Sequence, residues 1–374
     1  MRTRICDQLG IEFPIFAFSH CRDVVAAVSR AGGLGVLGAL VFPPEQLEIE
    51  LKWIDEHVDG KPYGVDVVIP ASYEGADRNS LEKMIPEEHK KFVDGIMKKF
   101  NIPELAQGEE QMHGLLGWSR EKATPQVEVA LSHPIKLLAN ALGAPPKEIV
   151  DRAHAQNVSV AALVGTPHQA KYQVDAGVDI VVASGTEAGG HTGEISTMVL
   201  IPQVVEAVHP TPVLAAGGIG SGRQAAAALA LGADGVWTGS IWLAVKESDT
   251  SEVVQEKLFN ATSRDTVRSR AMTGKRARLL KTPWTDAWES EESPGALPMP
   301  LQFMLTAEAF TRINKYAAAG DQGAKELAFT PVGQIVGSMK NRLSCRDMIF
   351  QMVDEYIAAV GSLDETLAVE EPAR

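Results

Sequence analysis

The sequence predicts a (β/α)8 TIM barrel, an α/β fold, with an inserted helical excursion and a C-terminal helical appendage. Three observations carry this. About eight short apolar runs recur along residues 1–245, each parted from the next by a helical pattern or a long connection. Alternation of that kind places parallel strands under a cover of helices, and eight units in about 245 residues suit a closed barrel better than an open sheet. The third observation is glycine-rich sequence after the late strands, on the side where barrels of this type bind ligands.

FPIFAF (13–18) reads as the first buried strand, and DVVAAVSRAGG (23–33) as a helix that stops at glycine. LGVLGAL (34–40) is the second strand, EQLEIELKWIDEHV (45–58) a helix, and YGVDVVIP (63–70) the third strand. A polar excursion follows over 71–132, with helical pieces such as HKKFVDGIMKKF and prolines at 86, 103 and 125. IKLLANAL (135–142), VSVAALVG (158–165) and DIVVAS (179–184) resume the strands, with PKEIVDRAHAQ and HQAKYQVDAG between them as helices. MVLIPQVVEAV is helical, PVLAAGGI (212–219) a strand, RQAAAALALG a helix, and GVWTGSIW (235–242) the last strand. Residues 1–245 thus form the expected barrel domain, and 246–374 a mostly helical appendage containing the loop TPWTDAWESEESPGALPMP.

GLGVLG (33–38) matches the dinucleotide pattern GxGxxG, yet its glycines end a helix and enter a strand. A Rossmann turn needs strand, glycines, then helix, so these glycines read as a cap and a tight αβ turn.

Composition narrows the classes. Hydrophobic residues make up 45% and charged residues 22%, ordinary for a globular protein, and no apolar run is long enough to cross a bilayer. MRTRICDQLG lacks the apolar core of a secretory signal, so a cytoplasmic location is expected. Cys6, Cys21 and Cys345 lie far apart, which argues against a disulfide framework and against a thiolate metal site. A formal charge of −13 disfavours bulk attraction of nucleic acid. The expected partners are a small-molecule substrate and dioxygen, with no nucleic acid and no membrane; a homo-oligomer is compatible with the sequence.

The most informative run is VVASGTEAGGHTG, 181–193. A buried strand ends at Ser184, glycines stand at 185, 189 and 190, and His191 follows. Glycine lets backbone approach a flat ligand, and an imidazole moves protons near neutral pH. A lone histidine is more often structural; its place beyond a strand end shifts the balance toward catalysis. The other strand ends are Phe18 and Ser19, Ala39 and Leu40, Asp66 to Ile69, Asn140, Val164 and Gly165, Gly217 to Gly222, and Gly239 and Ser240. The last two groups follow strands seven and eight, the usual phosphate site of such barrels, where free amides at a helix start hold the dianion. Arg223 reads equally as added charge for the phosphate or as a surface residue. A phosphate site beside a glycine-lined platform suits FMN. PLP would need a strand-end lysine, and none is present. No His, Asp and Glu cluster has metal-site spacing, and no GxSxG or P-loop motif occurs.

GTEAGGHTG, followed by PVLAAGGIGSGR and ADGVWTGSIWL, resembles the nitronate monooxygenase family, also called 2-nitropropane dioxygenases, and RSRAMTGKRARLL and VGQIVGSMK resemble its C-terminal elements. The resemblance covers about residues 10–345 and is weak over 71–132. It implies an FMN-dependent TIM barrel that oxidises alkyl nitronates with dioxygen to a carbonyl compound and nitrite. Residue by residue it implies His191 as the catalytic histidine, removing the α-proton when the substrate is a neutral nitroalkane. Ser184, Ala188 and Gly189 then line the flavin, Gly217 and Gly218 form the first phosphate loop, and Gly239 and Ser240 the second. Asp66 stands where many members have asparagine, and Phe18 with Ser19 where many have Pro-Met; both belong to the implied flavin site. Ser184 replaces a common glutamine, Ser240 a common threonine, VSVAALVG lacks the lysine of some members, and Gln334 matches a family glutamine. Two other readings stand beside this one: an FMN-dependent NAD(P)H enoyl-thioester reductase on the same scaffold, and a flavin-binding protein without turnover.

Overall fold

The computed structural model describes residues 1–69, 78–106, 120–141, 143 and 145–367. Strands β1 (Ile15–Ser19), β2 (Leu34–Gly38), β3 (Gly64–Val67), β4 (Leu137–Asn140), β5 (Ser159–Val164), β6 (Ile180–Ser184), β8 (Val213–Ala216) and β9 (Gly235–Thr238) close into one parallel barrel. Between β6 and β8 in the chain lies a two-residue strand, β7 (Gly190–His191), that is not a stave of the barrel. All eight expected strands are present, and the fold is the (β/α)8 TIM barrel read from the sequence. The sequence runs overshoot at their ends because they continue into the loops above the barrel; Pro70 and Leu142, the last residues of two of them, lie outside the described residues.

Alternation along each strand sorts the core. Phe16, Leu34, Val36, Leu137, Ala139, Ala161, Ile180, Val182, Leu214 and Ala216 fill the barrel interior together with Trp237. Ile15, Ala17, Val181, Ala183, Val213 and Val236 face the opposite way into one helical layer, while Leu37, Val65, Val67 and Leu138 face another. Both faces of every strand are thereby buried, which is why the strands read as continuous apolar runs. The short N-terminal helix Arg4–Leu9 adds Ile5, Cys6 and Leu9 to the interior cluster.

In the excursion, helices span Arg78–Lys83, Glu87–Lys99 and Arg120–Ser132; residues 71–77 and 107–119 of it lie outside the described residues. Gln126, fully buried, donates from Nε2 to the carbonyls of Ala39 and Phe42 at 3.0 and 2.7 Å, tying the last of these helices to the end of β2.

Beyond residue 245 the chain is not only helical. β10 (Thr266–Ser269) and β11 (Ala277–Leu280) form an antiparallel hairpin, and β11 pairs with β7, Ala277 opposite His191 and Arg278 opposite Gly190. The mostly helical tail thus contributes two strands of a three-stranded sheet whose third strand is in the His191 loop. The helices that follow end in Cys345–Glu365, which packs on helix Gly222–Ala230 so closely that a β-carbon on Gly222 would lie 1.8 Å from the carbonyl oxygen of Met352. Among the described residues no helix is long and apolar enough to cross a membrane.

Candidate functional site

Register and alternation aim specific side chains into the barrel mouth. Phe18 follows Phe16 on the inward phase of β1, Asp66 follows Gly64 on β3, Ser184 follows Val182 on β6, and Trp237 points inward from β9. Trp237 stacks on Phe16 and Phe18 with ring centroids 6.2 and 6.4 Å apart, making an apolar floor at the β1–β9 side. Asp66 and Ser184 are the polar groups buried on this inward phase, 4% and 8% exposed. Asn140, at the end of β4, faces outward instead. Its side chain bonds both the amide and the carbonyl of Ile69 and reaches the carbonyl of Gly143, a structural clasp.

Asp66 is the conspicuous group. Its Oδ1 has no hydrogen-bond partner, its cross-strand neighbours are Gly38 and Ala139, and burial pushes its carboxyl up to about 7. An orphaned buried polar atom needs an explanation, and a ligand above the strand ends would supply one.

On the far side of the mouth, the loops after β8 and β9 lie together. Gly217 and Gly218 adopt φ of 99° and 70°, left-handed values that glycine alone takes freely. The amides of Gly217, Gly218, Gly239 and Ser240 have no protein acceptor among the described residues. A β-carbon on Gly239 would meet nothing within 4 Å. Four amide donors are thus left free beside open space. Behind them, Gln224 donates from Nε2 to the carbonyl of Gly218 at 2.6 Å and accepts from the amide of Gly220 at 2.9 Å, fixing the first loop.

At the start of the helix that follows the β8 loop, the Gly222 amide donates to Glu355 Oε2 at 2.8 Å, from the C-terminal helix that crosses it, and the Gln224 amide to Ser221 Oγ at 3.3 Å. Arg223 is exposed. The free donors belong to the loops and to the one-turn helix Ser240–Ala244.

His191 stands on the lid sheet. Its Nδ1–H donates to the carbonyl of Arg276 at 3.2 Å, which leaves Nε2 as the acceptor in the neutral ring, 3.5 Å from Thr273 Oγ1. Burial, with the nearby Lys275 charge, lowers its basicity and favours neutral imidazole. The loop carrying it is pinned at several points. Glu187 accepts from the Thr197 amide and hydroxyl at 3.0 and 2.8 Å. Arg278 donates from Nε to the Thr186 carbonyl at 2.9 Å. Gly333 and Gln334, from the C-terminal segment, donate their amides to Ser240 Oγ and to the Glu187 carbonyl at 2.8 and 2.9 Å. That segment leaves no room for a side chain at Gly189, since a β-carbon there would strike Val332 and Gly333. Ala188 lies between these contacts, its amide donating to the Gly185 carbonyl at 3.1 Å.

A second histidine was missed by sequence reasoning. His20 follows β1, is solvent-exposed, and bonds through Nδ1 to the carbonyl of Gly38 at 2.9 Å. Its only sequence signal was its place two residues beyond Phe18. Glu187 was equally missed, although it lies inside the run that attracted attention. Among the described residues no group of His, Cys, Asp and Glu is placed to hold a metal ion.

The family model for nitronate monooxygenase matches residues 2–355. A Mycobacterium tuberculosis protein named as a monooxygenase is 54% identical over 97% of this chain and 98% of its own length. A Staphylococcus aureus (strain Newman) protein named as a nitronate monooxygenase is 30% identical over 89% of this chain and 91% of its own. Among solved structures, nitroalkane oxidase from Streptomyces ansochromogenes superposes with a TM-score of 0.78 at 27% identity, covering 96% of this chain and 99% of that one. FabK from Thermotoga maritima gives 0.73 at 27%, covering 98% and 99%. The free-amide loops, the pinned histidine loop and a match spanning nearly the whole chain agree: this chain belongs to the nitronate monooxygenase family.

Proposed function

We propose that the protein binds one FMN noncovalently and oxidises alkyl nitronates with dioxygen, giving a carbonyl compound and nitrite. The observation that carries the reading is the pair of loops with four unpartnered amides beside open space, adjoining an apolar floor and the His191 loop. FMN, when bound, accepts electrons from the substrate and passes them to dioxygen. The residues fit it: Gly217, Gly218, Gly239 and Ser240 would hold the phosphate, and Phe18, Asp66, Ser184, Ala188 and Gly189 would surround the ring system. Asp66, its carboxyl pushed up to about 7 by burial, can while protonated donate a hydrogen bond that a carboxylate could not. His191 would hold the nitro group of an anionic substrate, while Phe18 and Trp237 limit water. The catalytic core lies in residues 1–245, with 246–374 supplying the segments that close the site, and the setting that goes with it is cytoplasmic.

A second reading, an NAD(P)H-dependent enoyl-thioester reductase, is favoured by the likeness to FabK. Stopped-flow bleaching of the flavin separates them. Reduction by a nitronate much faster than by NADH or NADPH is the expected result; fast reduction by either nicotinamide would replace the first reading with the second.

A further inference from the structure

The hairpin of the lid sheet carries a pair of like charges that the flavin site does not use. In its antiparallel register Arg268 on β10 stands opposite Arg278 on β11. Residues directly opposite share a face of the sheet, and like charges so placed repel. On the other side of β11, Gly190 of β7 stands opposite Arg278, so the same face continues there without a side chain. A β-carbon on Gly190 would meet nothing within 4 Å. His191 is opposite Ala277 and belongs to the other face.

Among the described residues neither guanidinium is hydrogen-bonded to a carboxylate. Arg278 is 7% exposed. It donates from Nε to the Thr186 carbonyl at 2.9 Å and from Nη1 to Thr266 Oγ1 at 3.0 Å, both neutral acceptors, and its Nη2 has no acceptor among the described residues. The Arg268 Nε is buried without a partner. Its Nη2 lies 3.8 Å from Glu194 Oε1, on a side chain 78% exposed, which is beyond hydrogen-bond range. Glu187, the other nearby carboxylate, already accepts from Thr197. Burial and the Arg268 charge hold the Arg278 guanidinium below its ordinary range, with Glu187 opposing them. Charges taken out of water are normally paired; here two cations face one another in a chain of formal charge −13.

We propose that Arg268 and Arg278 form a binding site for a phosphate group, on the face of the lid sheet opposite to His191. Two planar guanidinium forks match the oxygen edges of a phosphate, and their summed charge matches its dianion. The group would accept from Arg268 Nε and from the free donors of Arg278, beside the space left by Gly190. Thr186 and Glu194, on either side of His191 in the chain, meet this same pair. A bound phosphate would therefore tie β10 and β11 to the His191 loop and stabilise the lid sheet. The site is separate from the loops after β8 and β9, whose free donors are backbone amides.

The test uses the full chain as purified, in phosphate-free buffer near neutral pH. Sodium phosphate, glycerol 3-phosphate and sodium chloride are titrated in turn at matched ionic strength, with melting temperature and calorimetric heat as readouts. A saturable rise in melting temperature with phosphate, absent with chloride, is expected. Arg268→Gln removes one fork and one of the two like charges. Its phosphate affinity is expected to fall at least about tenfold, the scale of one charge-assisted hydrogen bond. Its melting temperature without phosphate is expected to equal or exceed that of wild type. Arg268→Lys keeps the charge but not the fork, and is expected to bind with intermediate affinity. Tighter binding of inorganic phosphate identifies the free ion as the ligand, and tighter binding of the ester a phosphorylated metabolite; either supports the site. A rise linear in salt and equal in all three proteins is the general effect of excluded anions and overturns the proposal. A phosphate effect abolished by excess FMN places the anion in the flavin site and overturns it as well. So does an Arg268→Gln protein that binds phosphate as tightly as wild type. An Arg268→Gln protein that melts well below wild type without phosphate shows the pair already balanced within the protein, with the same consequence.

Discussion

The α-carbon of Gly189 abuts the backbone of Gly333: a β-carbon on Gly189 would stand 2.8 Å from the Gly333 nitrogen and as close to Val332. Neither partner is a side chain that could swing away. Gly333 in turn donates to Ser240 in the loop after β9. Gly189→Ala is therefore expected to destabilise the protein by about 1–3 kcal/mol, the range for overpacking, and to weaken flavin retention because the displaced segment releases Ser240. Gly190→Ala meets nothing within 4 Å and pays only for its left-handed φ of 75°, about 1–2 kcal/mol, with flavin retained. Thermal melts and released-flavin absorbance on both variants check the contrast; a Gly189→Ala protein that keeps wild-type flavin affinity would mean the C-terminal segment does not govern the loop.

Gly239 gives the cleanest test of the anion site. Its φ of −131° suits any residue and its β-carbon position is open, so Gly239→Asp should fold with an unchanged apo melting temperature. Its carboxylate would stand beside the phosphate. Like unit charges at 4 Å repel by about 4 kcal/mol at an intermediate dielectric, so FMN affinity should weaken by at least about a hundredfold. Gly239→Asn, of equal size and no charge, should lose much less. Fluorescence titration of apoprotein with FMN reads both, and equal affinities for the two would move the phosphate elsewhere.

Glu187 links the histidine loop to helix Thr197–Val208 by accepting from the Thr197 amide at the helix start. A carboxylate there satisfies an end donor and complements the helix dipole. Glu187→Gln should cost about 1 kcal/mol in urea unfolding, and Glu187→Ala about 1–2 kcal/mol, the scale of a lost N-terminal cap. No change in either would show that the Thr197 hydroxyl bond to the Gly217 carbonyl, 3.0 Å long, holds the loop unaided.

What the sequence disclosed and withheld follows from how far each feature reaches along the chain. The barrel strands were legible because both faces of each are buried, so their apolar runs are unbroken. The position of Gly217, Gly218, Gly239 and Ser240 at the barrel mouth was legible because loops after late barrel strands have a fixed place in the fold. The β10–β11 hairpin was not: RSRAMTGKRARLL is charged, without clean alternation, and its third partner is the two-residue strand at Gly190–His191. Glu355 closing the start of the Gly222 helix comes from 133 residues away, and no local pattern announces it. His20 was passed over because its place against Gly38 depends on the missing side chain there, a relation between neighbouring strands.

Asp66 makes stability depend on pH in a stated direction. An unfolded aspartate titrates near 3.9; in the fold, burial raises this one to about 7. Below about pH 4 the group is protonated in both states and costs nothing. Between about 4 and 7 the native protein keeps a proton that the unfolded chain has released, so stability falls as pH rises through that window. Above 7 the full penalty persists, on the order of 4 kcal/mol from about three units at 1.36 kcal/mol each. Asp66→Asn has no proton to lose. Its apo melting temperature should therefore stay close to wild type at pH 4.5 and rise progressively above it toward pH 8, the difference between the two proteins cancelling every other titrating group. Flavin binding should follow the same group: a neutral carboxyl can donate to an acceptor on the ring, an ionised one cannot, so wild-type affinity for FMN should decline above pH 7 while that of Asp66→Asn stays level. Melting curves of apoprotein and FMN titrations across pH 5 to 9 test the two halves separately. Parallel melting profiles for the two proteins would place the Asp66 proton elsewhere than in the barrel interior. A flat wild-type affinity would show that the orphaned Oδ1 does not face the cofactor.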